Sequence, residues 1–549
     1  MSAAGAPPGS TWRRRRADGA QPLAGRWHRL IARLARFWLI ARVGLMGLVG
    51  LVGLGLAGCA SLPEPPAMPP STFLVAADDV PLARLASDAG VPDGRSGFRS
   101  LLVSSIALNT RLALIEQART GLDVQTYLLG DDATGHQLLR ALRDAAARGV
   151  RVRLLLDDFY TTGLTDLLLG LAAHPHVEVR LYNPFPVGRD SLLLRLGSLV
   201  GDFDRLNRRM HNKLFVADGR AAIVGGRNLA DAYFMRSEEG NFFDFELLCV
   251  GAVAPELAGH FDRFWNSRFA LPLQVLADNG LDGAQHQASF EVLTQPAAPL
   301  RTARDEVRLA AYAALANQPL VLGDASVFAD SPEKTAGAKR SDKLMPLLQL
   351  LDDARERVVI VSPYFLPSDA GLRRMQAARE RGVTVQVLTN SLLDSDEPLV
   401  SLAYGRRRKA LLRGGVQLFE LSSAQVKNEA VLRQGLGTSV ARLHAKLGFI
   451  DERLLLIGSM NIDPRSAGTN TEIALAIDSP DLIRVVLGQF QPTSNGSVFE
   501  VRLTAGGQAL EWVGSDGRGG ERRGPEPTPP WWRQFRLWLL SLVVPDDLL

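Results

Sequence analysis

Apolar and polar positions alternate along the chain in a rhythm of amphipathic helices and short apolar strands. Residues 138–147 carry apolar side chains at helical spacing, and a β-branched and leucine-rich run at 150–156 follows them directly. The same succession recurs at 371–379 and 383–388. Such alternation is typical of helices that flank a sheet. The sequence therefore predicts an α/β fold in which each half of the chain holds a mixed β-sheet flanked by helices.

The two halves also repeat each other at a fixed distance. His444 lies 233 positions after His211, and an Arg-Gly-Val segment recurs at the same offset. A constant offset shared by separate segments indicates a duplicated domain. We expect two similar domains, at 76–300 and 301–494, that form a pseudodimer with one shared active site.

Each of these histidines is followed two residues later by a lysine, Lys213 in the first half and Lys446 in the second. A neutral imidazole can attack the phosphorus of a phosphodiester while a second, protonated imidazole gives the leaving oxygen its proton. A lysine two residues along a strand points to the same side as its histidine and can neutralise the non-bridging oxygens. We predict His211 and His444 as nucleophile and general acid/base, with both lysines on the phosphoryl group.

A Gly-x-x-Asn turn follows each histidine-lysine pair. Its polar side chains, Asn228, Asn461 and Ser459, are predicted to bind the substrate phosphate as neutral donors. Asp218 and Asp451 end the pattern H-x-K-x-x-x-x-D in each half, and we expect them to hold the turn by a local ion pair in a structural role. A single H-x-K is common by chance, but two copies in register favour a phosphodiester-processing site over ordinary surface histidines.

With these motifs the chain resembles the phospholipase D superfamily, whose signature is the HKD motif, from about residue 75 to the C-terminus. Five segments are similar to its bacterial cardiolipin synthase C-type branch, namely 181–185, 206–213, 362–367, 458–466 and 470–472. One segment departs from that branch. Residues 400–404 read Val-Ser-Leu-Ala-Tyr where Val-His-Ala-Gly-Tyr is expected. The departure leaves substrate choice open and does not touch the core chemistry.

The resemblance implies that the first-half histidine, His211, forms a covalent phosphohistidine. A nucleophilic imidazole needs an acceptor on its far nitrogen, which fixes the tautomer and stabilises the cation formed later. By position, Glu246 and Glu472 resemble the acidic residue of the family, and we predict each as partner of the histidine in its own half. Asp244 lies two residues before Glu246, on the same face of a strand, and competes with it.

No metal or cofactor is predicted. His174-Pro-His176 is the one close histidine pair, and no Cys, His and Asp cluster has the spacing of metal ligands. The two lysines and two imidazoles already supply the charge that a metal would contribute. The chain has two cysteines, and Cys249 lies in an apolar run where it is expected to pack as a small hydrophobe.

The N-terminus has the pattern of a targeting segment. Residues 1–42 hold nine arginines and one acid, and residues 43–56 are free of charge and end shortly before Cys59. A basic region, a short apolar region and small residues before a cysteine resemble a bacterial lipoprotein signal. We predict a signal peptide at 1–58, lipidation at Cys59 and a Pro-rich tether at 59–75. An uncleaved membrane anchor is the alternative.

Charge separates this leader from the rest of the chain. The whole chain carries a formal charge of +4, from 62 Lys and Arg and 58 Asp and Glu. Without residues 1–58, which hold nine arginines and one aspartate, 53 basic and 57 acidic residues remain, a charge of −4. A nucleic-acid enzyme usually carries a basic surface over many phosphates. Nucleic acid is therefore not expected as a partner.

Two segments, 187–205 and 421–440, interrupt the rhythm before the motifs and are expected to be loops that frame the substrate entrance. Residues 495–527 are rich in Gly, Arg, Ser and Pro and are predicted to be loosely structured or solvent-facing. The tail then places Trp and Arg among leucines. It fits either a helix in a membrane interface or a helix docked on the body.

These inferences combine into a membrane-associated enzyme with phospholipid substrates, lipid-anchored on the extracytoplasmic side of a bacterial envelope. We expect it to pass a phosphatidyl group through His211 to the hydroxyl of a glycerol-headed lipid, which gives cardiolipin. Hydrolysis by a phospholipase D is the first alternative. A metal-independent endonuclease and a non-catalytic lipid-binding protein are further alternatives. The sequence does not give the donor and acceptor lipids or the oligomeric state.

Overall fold

The computed structural model of the chain describes residues 62–64, 68–295, 319–337, 345–421, 441–489, 498–515, 520–541 and 544–546. The predicted signal peptide with Cys59, the boundary between residues 300 and 301, and nearly all of the predicted loop at 421–440 lie outside these ranges. Within the described ranges, no helix combines the length and the apolar character needed to cross a bilayer.

The first half alternates strands and helices. Its strands are β1 (Ser96–Ser100), β2 (Gly121–Thr126), β3 (Arg151–Asp157), β4 (Val177–Tyr182), β5 (Leu214–Ala217), β6 (Ala221–Gly225), β7 (Asn241–Phe243), β8 (Glu246–Gly251) and β9 (Ala270–Pro272). Its helices are α1 (Pro81–Asp88), α2 (Ser104–Gln117), α3 (Ala133–Ala147), α4 (Thr165–Ala172), α5 (Leu192–Leu206), α6 (Val253–Trp265), α7 (Leu273–Leu276) and α8 (Gly283–Leu293), with 3₁₀ turns at Asp158–Tyr160 and Asp231–Phe234.

The second half follows the same plan. Its strands are β10 (Val321–Ala329), β11 (Arg357–Val361), β12 (Thr384–Asn390), β13 (Gln417–Leu421), β14 (Ala441–Leu443), β15 (Leu447–Ile450), β16 (Leu454–Gly458), β17 (Ile473–Asp478), β18 (Val498–Leu503), β19 (Leu510–Ser515) and β20 (Glu521–Gly524). Its helices are α9 (Met345–Asp352), α10 (Asp369–Glu380), α11 (Pro398–Arg413), α12 (Pro464–Gly468), α13 (Pro480–Gln489) and α14 (Trp531–Ser541), with a 3₁₀ turn at Pro332–Ala336.

The duplication seen in the sequence is also a duplication of structure. Strands β3, β5 and β6 recur as β12, β15 and β16 with both ends displaced by 233 residues. The helix after the second strand is capped in each half: Asp132 accepts from the Gly135 amide at 2.9 Å, and Ser368 accepts from the Gly371 amide at 3.3 Å. The predicted α/β class and the predicted pair of similar halves are confirmed.

One mixed sheet of 18 strands runs through both halves in the order β9-β4-β3-β2-β5-β6-β8-β1-β10-β17-β16-β15-β11-β12-β13-β18-β19-β20. The halves join where β1 pairs with β10 in antiparallel register, with Gly97 opposite Leu322. A buried cluster also draws on both halves, with Val216, Leu247, Phe261, Leu455, Ile457 and Leu475 among its members. The two halves therefore share a sheet and a core, and residues 60–549 form one compact unit.

Residues 495–527 are not loosely structured at Val498–Leu503, Leu510–Ser515 and Glu521–Gly524, which are strands. The solvent-facing alternative holds for residues such as 521–523, which are exposed. Strand β18 pairs with β13, β19 pairs with β18, and β20 pairs with β19, so the segment extends the sheet. Trp512 is buried and donates its indole N–H to Glu420 at 2.9 Å. The segment is dominated by Gly and Arg in composition, but Val498 and Val501 are buried, and their strand β18 pairs with β13.

The predicted entrance loop at 187–205 is also different in the structure, since most of it forms α5. Ser191 caps the helix by accepting from the Leu194 amide at 3.4 Å. At the other end of the chain, α14 packs against α11 and buries Leu537. The docked-helix alternative is therefore correct for one face of the tail. The opposite face exposes Trp531, Trp532, Phe535 and Trp538.

Candidate active site

The two histidine-lysine motifs lie side by side, although 233 residues separate them. Each precedes a buried strand, β5 or β15, and each is held by the other half of the chain. The His211 amide donates to the Thr471 carbonyl at 3.0 Å, and the His444 amide donates to the Phe243 carbonyl at 2.7 Å. Strands β7 and β14 pair in parallel just before His444. At each motif, the backbone of one half is therefore hydrogen-bonded to the backbone of the other half.

The first imidazole is held by a carboxylate of the second half. Nδ1 of His211 lies 3.0 Å from both oxygens of Glu472. The hydroxyl of Ser466 also donates to Glu472, at 2.8 Å, and the hydroxyl of Ser459 donates to its other oxygen. Glu472 was predicted to partner the histidine of its own half, so its role as an acceptor holds but its partner is the opposite one.

The second imidazole is held by Asp244 of the first half. Nδ1 of His444 lies 2.6 Å from Oδ2 of Asp244. The prediction that Glu246 holds an imidazole is wrong, because Glu246 accepts from the guanidinium groups of Arg111 at 2.9 Å and Arg227 at 3.2 Å. Glu246 is buried and neutralises two buried arginines.

Strand register explains why Asp244 and not Glu246 takes the role. Gly225 of β6 faces Glu246, and the equivalent Gly458 of β16 faces Ala474. The acid two residues before each of these partners is Asp244 in one half and Glu472 in the other. The sequence contained both candidates in the first half, but only the pairing of β6 with β8 distinguishes them.

Both lysines are buried beside their histidines. Nζ of Lys213 donates to the His211 carbonyl at 2.9 Å, and Nζ of Lys446 donates to the His444 carbonyl at 2.5 Å. Each ammonium also lies over an aromatic ring, that of Tyr127 at 5.4 Å or that of Tyr364 at 5.8 Å. The two motifs therefore present matching ammonium groups.

Burial controls the protonation of the site. It lowers the pKa of His211 to about 4, although Glu472 opposes the shift, and it lowers the pKa of His444 although Asp244 opposes it. Burial likewise lowers the pKa of Lys213 to about 7 and that of Lys446 to about 8. Burial alone would raise the pKa of Asp244, but His444 and Lys446 bring it to about 2. In the ligand-free site both imidazoles are neutral near pH 7.

Aromatic rings wall both imidazoles, and the sequence interpretation did not single them out. Tyr127 meets His211 edge-on with ring centroids 5.1 Å apart. Tyr233 and Phe242 lie at the same distance from His444. A tyrosine directly after a strand, such as Tyr127 after β2, carries no signal of its own in a single sequence. These rings exclude water from the imidazoles and leave an apolar lining beside the phosphoryl position.

The Gly-x-x-Asn turns bring their asparagines into the buried region as predicted. The side-chain carbonyl oxygens of Asn228 and Asn461 have no hydrogen-bond partner among the described residues. These oxygens can only accept a hydrogen bond, so a contact with an anionic phosphate would have to come from the Nδ2 groups of the same side chains. Ser459 differs from its predicted role, because its hydroxyl is already committed to Glu472.

The aspartates that end each motif are structural, but not through an ion pair. Asp218 accepts from the amides of Arg119, Thr120 and Gly121, and Asp451 accepts from the amides of 355–357 in the same way. Both aspartates adopt a left-handed backbone, with φ of 54° and 52°. Each carboxylate therefore ties the motif strand to the loop before the neighbouring strand.

Across the described residues, no group of three or more His, Cys, Asp or Glu side chains has an arrangement able to hold a metal ion. The two buried lysines supply positive charge beside the imidazoles. The site so defined offers two imidazoles whose Nε2 atoms have no hydrogen-bond partner among the described residues, two ammonium groups and two carboxamides around one buried region.

Comparisons with known proteins agree with this geometry. A family model described as "Cardiolipin synthase, PLD-like domain" matches residues 112–265 and 347–493. Cardiolipin synthase C of Escherichia coli (strain K12) is 36% identical over 463 residues, which cover 83% of this chain and 97% of that protein. An uncharacterized protein of Helicobacter pylori (strain ATCC 700392 / 26695) is 32% identical and covers 69% of this chain and 76% of its own length.

The fold has a counterpart among solved structures. The phosphatidylserine synthase of Haemophilus influenzae Rd KW20 superposes with a TM-score of 0.54 at 14% identity, covering 83% of this chain and 98% of its own. Fold and paired histidine-lysine motifs define a phospholipase D-like protein. The family match and the identity to an Escherichia coli relative then show that the chain belongs to the cardiolipin synthase family of PLD-like proteins.

Asp244 and Glu246 can be separated experimentally. We expect Asp244→Asn to lower kcat for a phosphodiester substrate by at least about 100-fold with little change in Tm, because the His444 tautomer is lost. Glu246→Gln should instead lower the free energy of unfolding by about 3 kcal/mol, because two buried guanidinium groups lose their counter-charge. Steady-state kinetics and thermal unfolding of both variants check this. The reverse pattern would mean that Glu246, and not Asp244, orients the catalytic imidazole.

Proposed function

We propose that this protein transfers a phosphatidyl group through a phosphohistidine and makes cardiolipin, most simply from phosphatidylglycerol and a second phospholipid. The observation that carries the proposal is the crossed pair of buried imidazoles, His211 on Glu472 and His444 on Asp244. Two oriented imidazoles beside two ammonium groups match the needs of a double displacement at phosphorus. The relatives named above supply the substrate class, since cardiolipin synthase C and phosphatidylserine synthase bear the names of phospholipid products.

In the first step, Nε2 of His211 attacks the phosphorus of the donor lipid and forms a P–N bond. The P–O bond to the departing alcohol breaks, and its electron pair stays on the oxygen, which takes a proton from Nε2 of the His444 imidazolium. The negative charge of the bound phosphodiester raises the pKa of His444 in the complex and so favours this protonated form. Lys213 and Lys446 stabilise the charge on the non-bridging oxygens. Nδ1–H of His211 donates to Glu472 throughout, so the developing imidazolium charge has a counter-charge at 3.0 Å.

In the second step, His444 is neutral and takes the proton of the acceptor hydroxyl. The acceptor oxygen attacks phosphorus, the P–N bond breaks, and its electron pair returns to Nε2 of His211. When the acceptor is the glycerol hydroxyl of phosphatidylglycerol, the product is cardiolipin. When it is water, the product is phosphatidic acid, which is the phospholipase D alternative.

The surroundings of the two carboxylates favour His211 as the nucleophile. Glu472 divides its charge among His211, Ser459 and Ser466, so it supports an imidazolium less strongly. Asp244 accepts one side-chain bond, from His444 at 2.6 Å, and its other oxygen accepts from the Phe245 amide at 2.7 Å. A weaker counter-charge favours the neutral, attacking form of His211, and a stronger one favours the protonated, donating form of His444.

Replacement of either histidine tests the shared site. We expect His211→Ala and His444→Ala each to lower turnover at least about 1000-fold, because neither half holds both nucleophile and acid. His136→Ala, a partly exposed histidine on α3, is the matched control and should keep full activity. The measurement is cardiolipin by lipid mass spectrometry, in a host that lacks its own cardiolipin synthases and with purified protein. About half the activity remaining in either variant would mean two independent sites. Phosphatidic acid as the sole product would show that the enzyme hydrolyses its substrate and does not transfer the phosphatidyl group.

The lysine pKa values predict a loss of activity on the alkaline side. Both ammonium groups are charged below their pKa values of about 7 and about 8 and lose their protons as the pH rises through them. The free His211 imidazole is neutral above its pKa of about 4. We therefore expect kcat/KM for a soluble short-chain substrate to rise from pH 4, to begin falling below pH 6.5 as free His444 loses the proton that it donates in the first step, and to fall more steeply above about pH 7 and about pH 8 as the two lysines lose theirs. Lys213→Arg should make the fall above about pH 7 less steep. A profile flat to pH 10 would contradict the assigned charges.

We also propose that the body is lipid-anchored at Cys59 on the extracytoplasmic side of a bacterial envelope. A diacylglyceryl group supplies two acyl chains, and each methylene buried in the bilayer adds about 0.8 kcal/mol to the binding free energy. Two chains therefore anchor a protein stably, whereas one chain binds only marginally. We expect the intact mass of the membrane-extracted protein to match a chain that begins at Cys59 and carries added acyl mass. Cys59→Ser should give a longer, unlipidated precursor. An unmodified chain that retains residues 1–58 would establish the uncleaved anchor instead.

A further inference from the structure

Helix α5 turns its leucines away from the protein. Leu192, Leu193, Leu194 and Leu196 are 62%, 77%, 41% and 50% exposed, and Phe203 further along is 43% exposed. Its buried positions are Arg195, Ser198 and Leu206. A surface helix of a soluble body normally places its apolar stripe inward. The inverted arrangement marks a surface that is built to be covered.

The helix is fastened to the body by polar contacts, which leaves its apolar face free. The Arg195 guanidinium donates to the Asp158 carbonyl and, at 3.1 Å, to the Thr161 hydroxyl, and it lies 5.0 Å from the ring centre of Phe185. The buried hydroxyl of Ser198 donates within the helix, to the Leu194 carbonyl at 3.0 Å. Because Arg195 and Ser198 occupy the buried side of the first turns, the exposed leucines beside them are not residues displaced from the core.

A continuous row of aromatic rings leads from this helix to the catalytic histidine. Phe185, which Arg195 covers, lies 6.2 Å from Phe159, and Phe159 lies 5.0 Å from Tyr160. Tyr160 meets Tyr127 edge-on at 5.2 Å, and Tyr127 meets His211 at 5.1 Å. Phe159 and Tyr160 are 36% and 45% exposed, so the row opens at the surface beside α5.

We propose that the leucine face of α5 inserts into the acyl region of a phospholipid bilayer, and that the row Phe159–Tyr160–Tyr127 guides the donor lipid from the bilayer to His211. The proposal rests on the proposed function for the identity of the substrate. It adds an interaction surface and a path for the lipid, which the two motifs do not provide.

The occupant of the face is a bilayer, because the face adjoins the open end of the row. A protein partner seated on α5 would cover Phe159 and Tyr160 and close the path to His211. A bilayer covers the leucines and at the same time supplies lipid to the row.

Insertion can be measured without catalysis. The full chain carrying Leu193→Cys, labelled with a nitrobenzoxadiazole group, is mixed with vesicles of phosphatidylglycerol and phosphatidylcholine in equal parts. We expect the emission to shift to the blue and rise at least about twofold, and to be quenched by lipids brominated in their acyl chains. The matched control is a label at Val292→Cys, an exposed apolar position on α8, which should not respond. No response at position 193, or an equal response at both positions, would overturn the proposal.

The functional role follows from a comparison of two substrate forms. The triple variant Leu192→Gln, Leu193→Gln and Leu196→Gln should lose at least about tenfold in rate on vesicles of phosphatidylglycerol, and stay within about twofold of wild type on monomeric dihexanoyl phosphatidylglycerol. The corresponding triple methionine variant should retain the vesicle rate, since it keeps the apolar face. An equal loss on both substrates, or no loss on vesicles, would contradict the role of α5. Absence of transfer by the wild-type chain on both substrates would overturn the proposed function, while the label at position 193 would still decide docking.

Discussion

The exchange of carboxylates between the two halves is the interaction on which the site depends. An imidazole and an acid that are both buried need each other, because an ionised carboxylate is costly in a dry interior unless a donor faces it. Here the donor for Glu472 is His211 of the first half, and the donor for Asp244 is His444 of the second. Neither half could bury its own acid alone, so the duplicated halves must stay joined.

The fold provides that joining at several levels. The sheet passes from one half to the other where β1 meets β10, and a core of residues from both halves lies against it. Short backbone contacts at Thr471 and Phe243 then set each histidine against the acid of the opposite half. Catalytic geometry needs placement to within a fraction of an ångström, and a shared sheet and core hold it more rigidly than a hinged interface between two domains.

Duplication has also left the two halves unequal in ways that suit a division of labour. Ser459 stands where the first half has Gly226, so Glu472 is bonded by a hydroxyl that Asp244 lacks. A side chain at Gly226 would collide with the Asp244 carboxylate, so glycine is required there. The row of aromatic rings that begins beside α5 ends at His211, so the outward leucines are connected to the proposed nucleophile and not to His444.

The sequence by itself determined the α/β class, the duplication and the four residues His211, Lys213, His444 and Lys446, because periodicity and a fixed offset are local features that survive in one chain. Tertiary structure decided the choice of Asp244 over Glu246, the crossing of both acids between halves, and the folding of 498–503, 510–515 and 521–524 into strands. These outcomes depend on strand register and on contacts between residues hundreds of positions apart, such as the 261 that separate His211 from Glu472. Local sequence propensity carries no information about strand register or about contacts between such distant residues.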